Sequence, residues 1–229
     1  HAPVSQVDLS FDGLLARYKS HFALLPEVRR GANTQYQMID AALGAFSVFF
    51  MQQPSFLAHQ KLLEKKHSTS NAHSLFKMSA LPSDAQIRNL LAPLSPNLLT
   101  PLYDELCQGL YQQGYLNSYK AIHDNVLIAL DGTQQLSSDT LHCQNCTTQT
   151  HKNGRTTYSH KVLTPAIVTP GSSRVIPLAP EPIMPQDGQN KQDSEHAASK
   201  RWLEKQADKS AVFSEKTLKS YKNQRVIKK

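Results

Sequence analysis

The stretch Val126-Leu127-Ile128-Ala129-Leu130-Asp131-Gly132-Thr133 is where the chain changes character. Its five apolar residues in a row, two of them β-branched, are too few for a helix and suit a strand buried on both faces. Asp131-Gly132 ends the run as a turn signal does. Downstream, Tyr158 to Val168 and Arg174 to Leu178 read as two more strands, separated by Pro170-Gly171-Ser172. Lys191 to Ala207 reads as a helix that turns Ala197, Ala198, Trp202 and Leu203 inward. The order from Val126 is therefore strand, strand, strand, helix.

Upstream the apolar period is helical. Phe11 to Leu25 carries Leu14, Leu15, Tyr18, Phe22 and Leu25 on one stripe, closed by Pro26. Gln35 to Met51 repeats the pattern with Ile39, Leu43, Phe46 and Phe50, a face suited to a core. Phe56 to Lys66 is a short helix before the polar loop His67 to Asn71. Pro82-Ser83-Asp84-Ala85-Gln86 opens another, with Ser83 as cap and Gln86 reaching back. Pro101 to Gln113 is the last, stopped by Gly114. The predicted class is α+β, with helices over 1–125 and sheet over 126–209.

Hydrophobic residues make up 39% and charged residues 19% of the 229, which excludes a disordered chain or a coiled coil. The longest apolar stretch, Met38 to Met51, is too short for a membrane span and carries Asp40. The first residues, His1-Ala2-Pro3-Val4, lack the pattern of a signal peptide. The net charge of +7 is unevenly placed: of 25 basic and 18 acidic residues, 10 and 3 lie in the last 30, leaving 15 of each before them. The excess sits in a basic tail, 210–229 with the helix end before it, which suits a solvated segment or a nucleic-acid contact. Three cysteines make no disulfide framework and fit a reducing, cytoplasmic setting.

Five groups could carry chemistry. Asp131, at the end of a strand, is placed to meet a divalent cation, or is simply a turn residue. Cys143 and Cys146, with His142, His151 and His160 nearby, have the donor types of a Zn²⁺ site; a redox pair or two unrelated thiols are the alternatives. Arg88 and Asn89 lie opposite the Ile87, Leu90 and Leu91 stripe, as on a DNA-reading helix or an ordinary solvated face. Lys200, Arg201 and Lys205 could run beside a phosphate backbone or face water. Asp187, Asp193 and Glu195 form a loose acidic group, the last two favoured by the helix dipole.

Taken together these residues resemble the N-terminal portion of a bacterial insertion-sequence transposase of the DDE type. The resemblance rests on Leu127-Ile-Ala-Leu-Asp131-Gly-Thr133, His142-Cys143-x-x-Cys146, Asn153-Gly154, Tyr158-x-His160 and Thr164-Pro-Ala-Ile-Val168. It continues through Val175-Ile-Pro-Leu178, Pro185-Gln-Asp-Gly188, Lys191-Gln-Asp193 and Lys200-Arg-Trp-Leu203, with Pro82-Ser-Asp84 and Gln86 to Leu91 in the helical half. It covers roughly residues 11–207.

The resemblance implies the start of an RNase H-like mixed sheet domain over 126–209, with Asp131 the first catalytic carboxylate and a ligand of Mg²⁺ or Mn²⁺. It implies DNA transposition by phosphoryl transfer, and binding of the element's terminal DNA repeats by residues 1–125. A homo-oligomer is a further candidate assembly. The second and third carboxylates of the family lie beyond the matching region. The chain is therefore expected to be inactive in strand cleavage alone, with Val126 to Leu130 left as an exposed hydrophobic edge. The alternatives are a non-catalytic fragment occupying element ends, or a functionless remnant.

Overall fold

The computed structural model describes residues 7–27, 29, 35–64, 74–78, 82–143, 145–185 and 193–207. The polar loop at 67–71, Asp187, Lys191 and the basic tail 210–229 lie outside the described residues. The chain divides into two compact units, 7–102 and one formed chiefly by residues from Tyr103 onward.

The first unit holds α1 (Phe11–Phe22), α2 (Met38–Phe50), α3 (Phe56–Glu64) and α4 (Asp84–Leu91). Each start has a local cause. Ser10 caps α1 by accepting from Gly13 N, and Ser83 and Gln86 form the expected reciprocal box at α4. Leu15, Phe22, Ala42, Leu43, Phe76 and Met78 form its core, ringed by Phe11, Tyr18 and Phe46. Gly44 lets α4 pack closely, since a Cβ there would meet Ile87 Cδ1 at 2.9 Å and displace that methyl.

One polar pair lies inside this unit. Ser47 Oγ donates to Gly44 O at 2.8 Å and lies 2.7 Å from His59 Nε2. With its one hydrogen spent, Ser47 accepts from His59, so the imidazole is the Nε2–H tautomer. His59 Nδ1 is then a buried lone pair with no hydrogen-bond partner among the described residues. Burial lowers the His59 pKa from the ordinary 6.5.

Helix α5 (Thr100–Gln112) belongs to the second unit from Tyr103 onward, and Gly114 closes it at φ +77. The sequence reading separates helix from sheet at Val126, whereas the compact units part before Tyr103. The reason is that Cys107 and Leu110 of α5 pack into the sheet core. Eight strands follow: β1 (Lys120–Ile122), β2 (Asn125–Ala129), β3 (Gly132–Ser138), β4 (Thr147–Thr150), β5 (Thr156–Leu163), β6 (Ala166–Val168), β7 (Ile176–Pro177) and β8 (Glu181–Ile183). Then comes α6 (Glu195–Ala207).

The strands form orders β1-β2-β6-β7 and β3-β5-β4, with β8 also on β5, and every pairing is antiparallel. The parallel pairing of a mixed sheet is not among the described strands.

The registers reveal a simpler object. Ala129 faces Ala166 and Gly132 faces Leu163, so the count is unbroken across the kink at Asp131-Gly132 and Thr164-Pro165. Segments 127–138 and 158–168 are one bent ribbon, and β7 and β8 follow its other side. The single strand expected over Tyr158 to Val168 is interrupted because Pro165 has no N–H to continue a ladder. The third expected strand is reduced to Ile176–Pro177 with β8 beyond it.

Two further expectations are corrected. In β2 only Ile128 is buried, so the strand is not enclosed on both faces. Its edges are paired in part: β1 pairs with Asn125 and Val126, and β6 with Leu127, Ile128 and Ala129. The β1–β2 turn is made by His123 (φ 46) and Asp124 (φ 65), both left-handed as a tight hairpin demands.

Helix α6 closes the core of this unit. Trp202 is 1% exposed, beside Leu163, Ile167 and Ile183, and its Nε1 donates to Ala179 O at 2.9 Å. Arg201 is spent on the same closure: Nε donates to Glu181 at 3.1 Å, Nη1 and Nη2 to Asp193 at 3.0 and 2.8 Å, and Nη2 to Pro182 O at 3.2 Å. Lys205 adds a 2.6 Å contact to Glu181. Burial works to raise the Asp193 carboxyl, but Arg201 with the Ser194 and Met184 N–H groups outweighs it and holds the pKa below the usual value.

Two outcomes are expected. Arg201→Ala strips the guanidinium from two nearly buried carboxylates and should cost about 3 kcal/mol, read by urea unfolding. For His59 the neutral form is favoured in the fold, so its contribution is full above pH 6.5 and falls away as the pH drops through its depressed value. The melting temperature of the helical unit should fall on that descent, and His59→Gln should flatten the dependence.

Candidate metal centre

The ladder between β4 and β5 pairs Thr147 with Ser159 and Thr148 with Tyr158. One step further along the same register brings Cys146 opposite His160. Antiparallel residues directly opposite each other share a face, so their side chains converge. The turn before β4 supplies the third donor. Cys146 N donates to Cys143 O at 3.1 Å, which brings the two cysteines together.

The result is compact. Cys143 Sγ and Cys146 Sγ lie 3.4 and 3.2 Å from His160 Nε2, and 3.9 Å from each other. Backbone N–H groups point at the sulfurs, Cys143 N to Cys146 Sγ at 3.3 Å and Asn145 N to Cys143 Sγ at 3.4 Å. Such donors stabilise thiolate charge. Cys146 is buried and Cys143 exposed. Burial, with the adjacent Cys143 sulfur, raises the Cys146 thiol above its ordinary value. A cation reverses that balance, because a coordinating thiol is deprotonated by the metal. These three side chains could hold a metal ion.

The other sequence candidates stand elsewhere. His142 stacks on Tyr158 with ring centroids 4.4 Å apart. His151 is bonded to Thr157 Oγ1 at 2.7 Å, at the far end of the β4–β5 hairpin, and does not join the cysteines. Cys107 is buried in α5, its thiol pushed up to about 11 by burial and by Asp104.

Asp131 is exposed at the kink, where its carbonyl accepts from Thr164 N at 2.8 Å and Thr164 Oγ1 at 3.1 Å. Glu195 lies against the next residue: a Cβ on Gly132 would come within 2.7 Å of Glu195 Oε2. Among the described residues Asp131 belongs to no group of three His, Cys, Asp or Glu able to share an ion.

Of the proposed DNA contacts, Arg88 is bonded twice to Asp84, at 3.0 and 2.6 Å, and Asn89 is exposed beside it. Lys200 is exposed and 4.0 Å from Glu204. Arg201 does not face outward. It is the clasp described above, four of its five guanidinium N–H groups being bonded within the unit. The sequence reading missed its partner Glu181, although a lone acid within Val175 to Ile183 is a signal: a charge in an apolar run needs a buried cation.

Compared with protein-family models, curated proteins and solved structures, the chain matches none. No described helix is long and apolar enough to cross a membrane.

The convergence has a direct check. Elemental analysis of purified protein should find one bound cation per chain, and His160→Ala or Cys146→Ser should weaken its retention by at least about tenfold. His151→Ala should leave it unchanged.

Proposed function

We propose that the chain is a DNA-transposition protein of the DDE type whose sheet unit is braced by Zn²⁺ at Cys143, Cys146 and His160. The observation that carries the transposition reading is the ordered run of motifs from Leu127-Ile-Ala-Leu-Asp131 to Lys200-Arg-Trp-Leu203. An antiparallel meander followed by a helix packed on it, the order found from β2 to α6, is compatible with the beginning of an RNase H-like domain.

For the ion, the distances favour zinc. Zn–S and Zn–N bonds of about 2.3 and 2.0 Å give tetrahedral S···S and S···N edges of about 3.8 and 3.5 Å. The observed 3.9, 3.4 and 3.2 Å are close to these without any rearrangement of the turn. Two sulfurs and an imidazole select a soft or borderline cation over Mg²⁺. Zinc here would tie the Cys143–Cys146 turn to β5, and a fourth ligand would come from the exposed Cys143 side.

Mg²⁺ is a different matter. Asp131 is the residue the resemblance assigns to it, and its exposure at a rigid kink suits a ligand. A two-ion site needs several carboxylates, and the described residues do not form one around Asp131. No strand-cleavage step follows from these residues alone. The reading is of a protein that occupies DNA without cutting it unless further ligands are supplied. The three unpaired thiols suit a reducing compartment such as the cytoplasm.

A second reading, a zinc-braced structural module with no DNA role, is favoured by the Cys–Cys–His group itself. Titration of the full chain against duplex DNA at several salt concentrations separates the two. The transposition reading expects binding that weakens steeply with salt, as several phosphate contacts require, and no cleavage with added Mg²⁺. Absence of binding at low salt would overturn it. Apoprotein should take up one Zn²⁺, with no competition from excess Mg²⁺.

A further inference from the structure

The face of the β3-β5-β4 sheet opposite the metal ligands carries a separate feature. Side chains alternate along a strand, so Thr157 and Ser159 of β5 point away from Tyr158 and His160. The registers set Ser137 against Ser159 and Gln149 against Thr157, on that same second face. There a cavity of about 490 Å³ opens, in the size range of small-ligand sites.

Every residue lining it is polar, among them Gln134, Ser137, Gln149, Thr157, Arg155 and Asp139. This excludes an apolar ligand. Asp139 is the one carboxylate, and it is ion-paired with Arg155 through Nη2, which argues against a cation. Arg155 keeps its remaining N–H donors on a side chain 62% exposed, oriented by that pair. The amides of Gln134 and Gln149 and the hydroxyl of Ser137 have no hydrogen-bond partner among the described residues. Lys152 stands exposed at the tip of the β4–β5 hairpin, which turns through Gly154 at φ +80. An anion with flanking ester and hydroxyl oxygens is the ligand that matches all these donors.

We infer that this cavity seats a sugar-phosphate unit of a DNA backbone, with Arg155 on the phosphate oxygens and Gln134, Gln149 and Ser137 on the ester and sugar oxygens. The inference rests on the DNA-binding reading above and assigns the contact to β3, β4 and β5 rather than to Arg88 or Arg201. Uncharged donors and one anchored guanidinium position a backbone without reading bases.

The test is fluorescence anisotropy of the full, metal-loaded chain with a short labelled duplex, for wild type, Arg155→Ala and the Gln134→Ala/Gln149→Ala double variant. Thermal melting of each confirms the fold, and the exposed amides offer a second probe should the arginine variant fail to fold. Arg155→Ala is expected to raise Kd about tenfold and reduce the log–log salt slope by about one. The double variant should raise Kd about fivefold with the slope unchanged. Wild-type binding that both folded variants retain in full overturns the inference and leaves the DNA reading standing. Absence of wild-type binding overturns both. Displacement of the duplex by thymidine 5′-phosphate at concentrations near the duplex Kd would assign the cavity to a free nucleotide and overturn the backbone contact.

Discussion

The second unit depends on the pair of hydrogen bonds that the Asp131 carbonyl accepts from Thr164 N and Thr164 Oγ1. Between β2 and β3 on one side, and β5 and β6 on the other, the ladder has to pass a glycine and a proline, and Pro165 contributes no donor. Without a bond at this step the register could slip, and a slip of one residue turns every side chain to the opposite face. The Asp131–Thr164 bridge carries the count unbroken from Ala129–Ala166 to Gly132–Leu163. It also explains why Asp131 can be exposed and still be held: its position comes from its backbone, leaving the carboxylate outward.

Further along, a bulge between Gln134 and Leu136 shifts the β3–β5 register by one residue, and from there the pairing with β4 sets the faces of β5. Pairing of β5 with β4 sets Cys146 across from His160, while the next residues along, Ser159 and Thr157, floor the polar cavity on the reverse face. The two features are thus coupled through one strand. A cation bound on one side would brace the Cys143–Cys146 turn, which is the entry to β4, and β4 in turn holds Gln149 at the cavity. On the β8 side the closure is ionic. Arg201 and Lys205 meet Glu181, and Trp202 fills the core between them and the sheet. Breaking a buried pair of this kind leaves a charge without compensation, which makes the clasp specific as well as stabilising.

Much of the fold is legible in the residues. The stripe on Phe11 to Phe22, the Ser83–Gln86 box and the proline and glycine stops are local signals, and the helices follow them within a few residues. The short apolar run at Val126 marks the first long strand for the same reason. Strands β3 and β4 were not legible, because Gly132 to Ser138 and Thr147 to Thr150 are almost wholly polar and carry no apolar alternation. They are strands because β5 offers them a ladder.

The candidate site divides along the same line. Sequence alone determined the donor types, a Cys-x-x-Cys pair with histidines close by, since spacing within a turn is a local property. It could not choose among His142, His151 and His160, which lie within 19 residues of one another. Only the β4–β5 register decides that: His160 faces Cys146, His142 stacks on Tyr158, and His151 is carried to the far end of the hairpin. Arg201 makes the same point with charge. Its sequence neighbours on a helix suggest an outward basic face, and only the folded chain brings Glu181 and Asp193 to it from before the helix, because pairing across a sheet and helix is set by packing rather than by sequence distance.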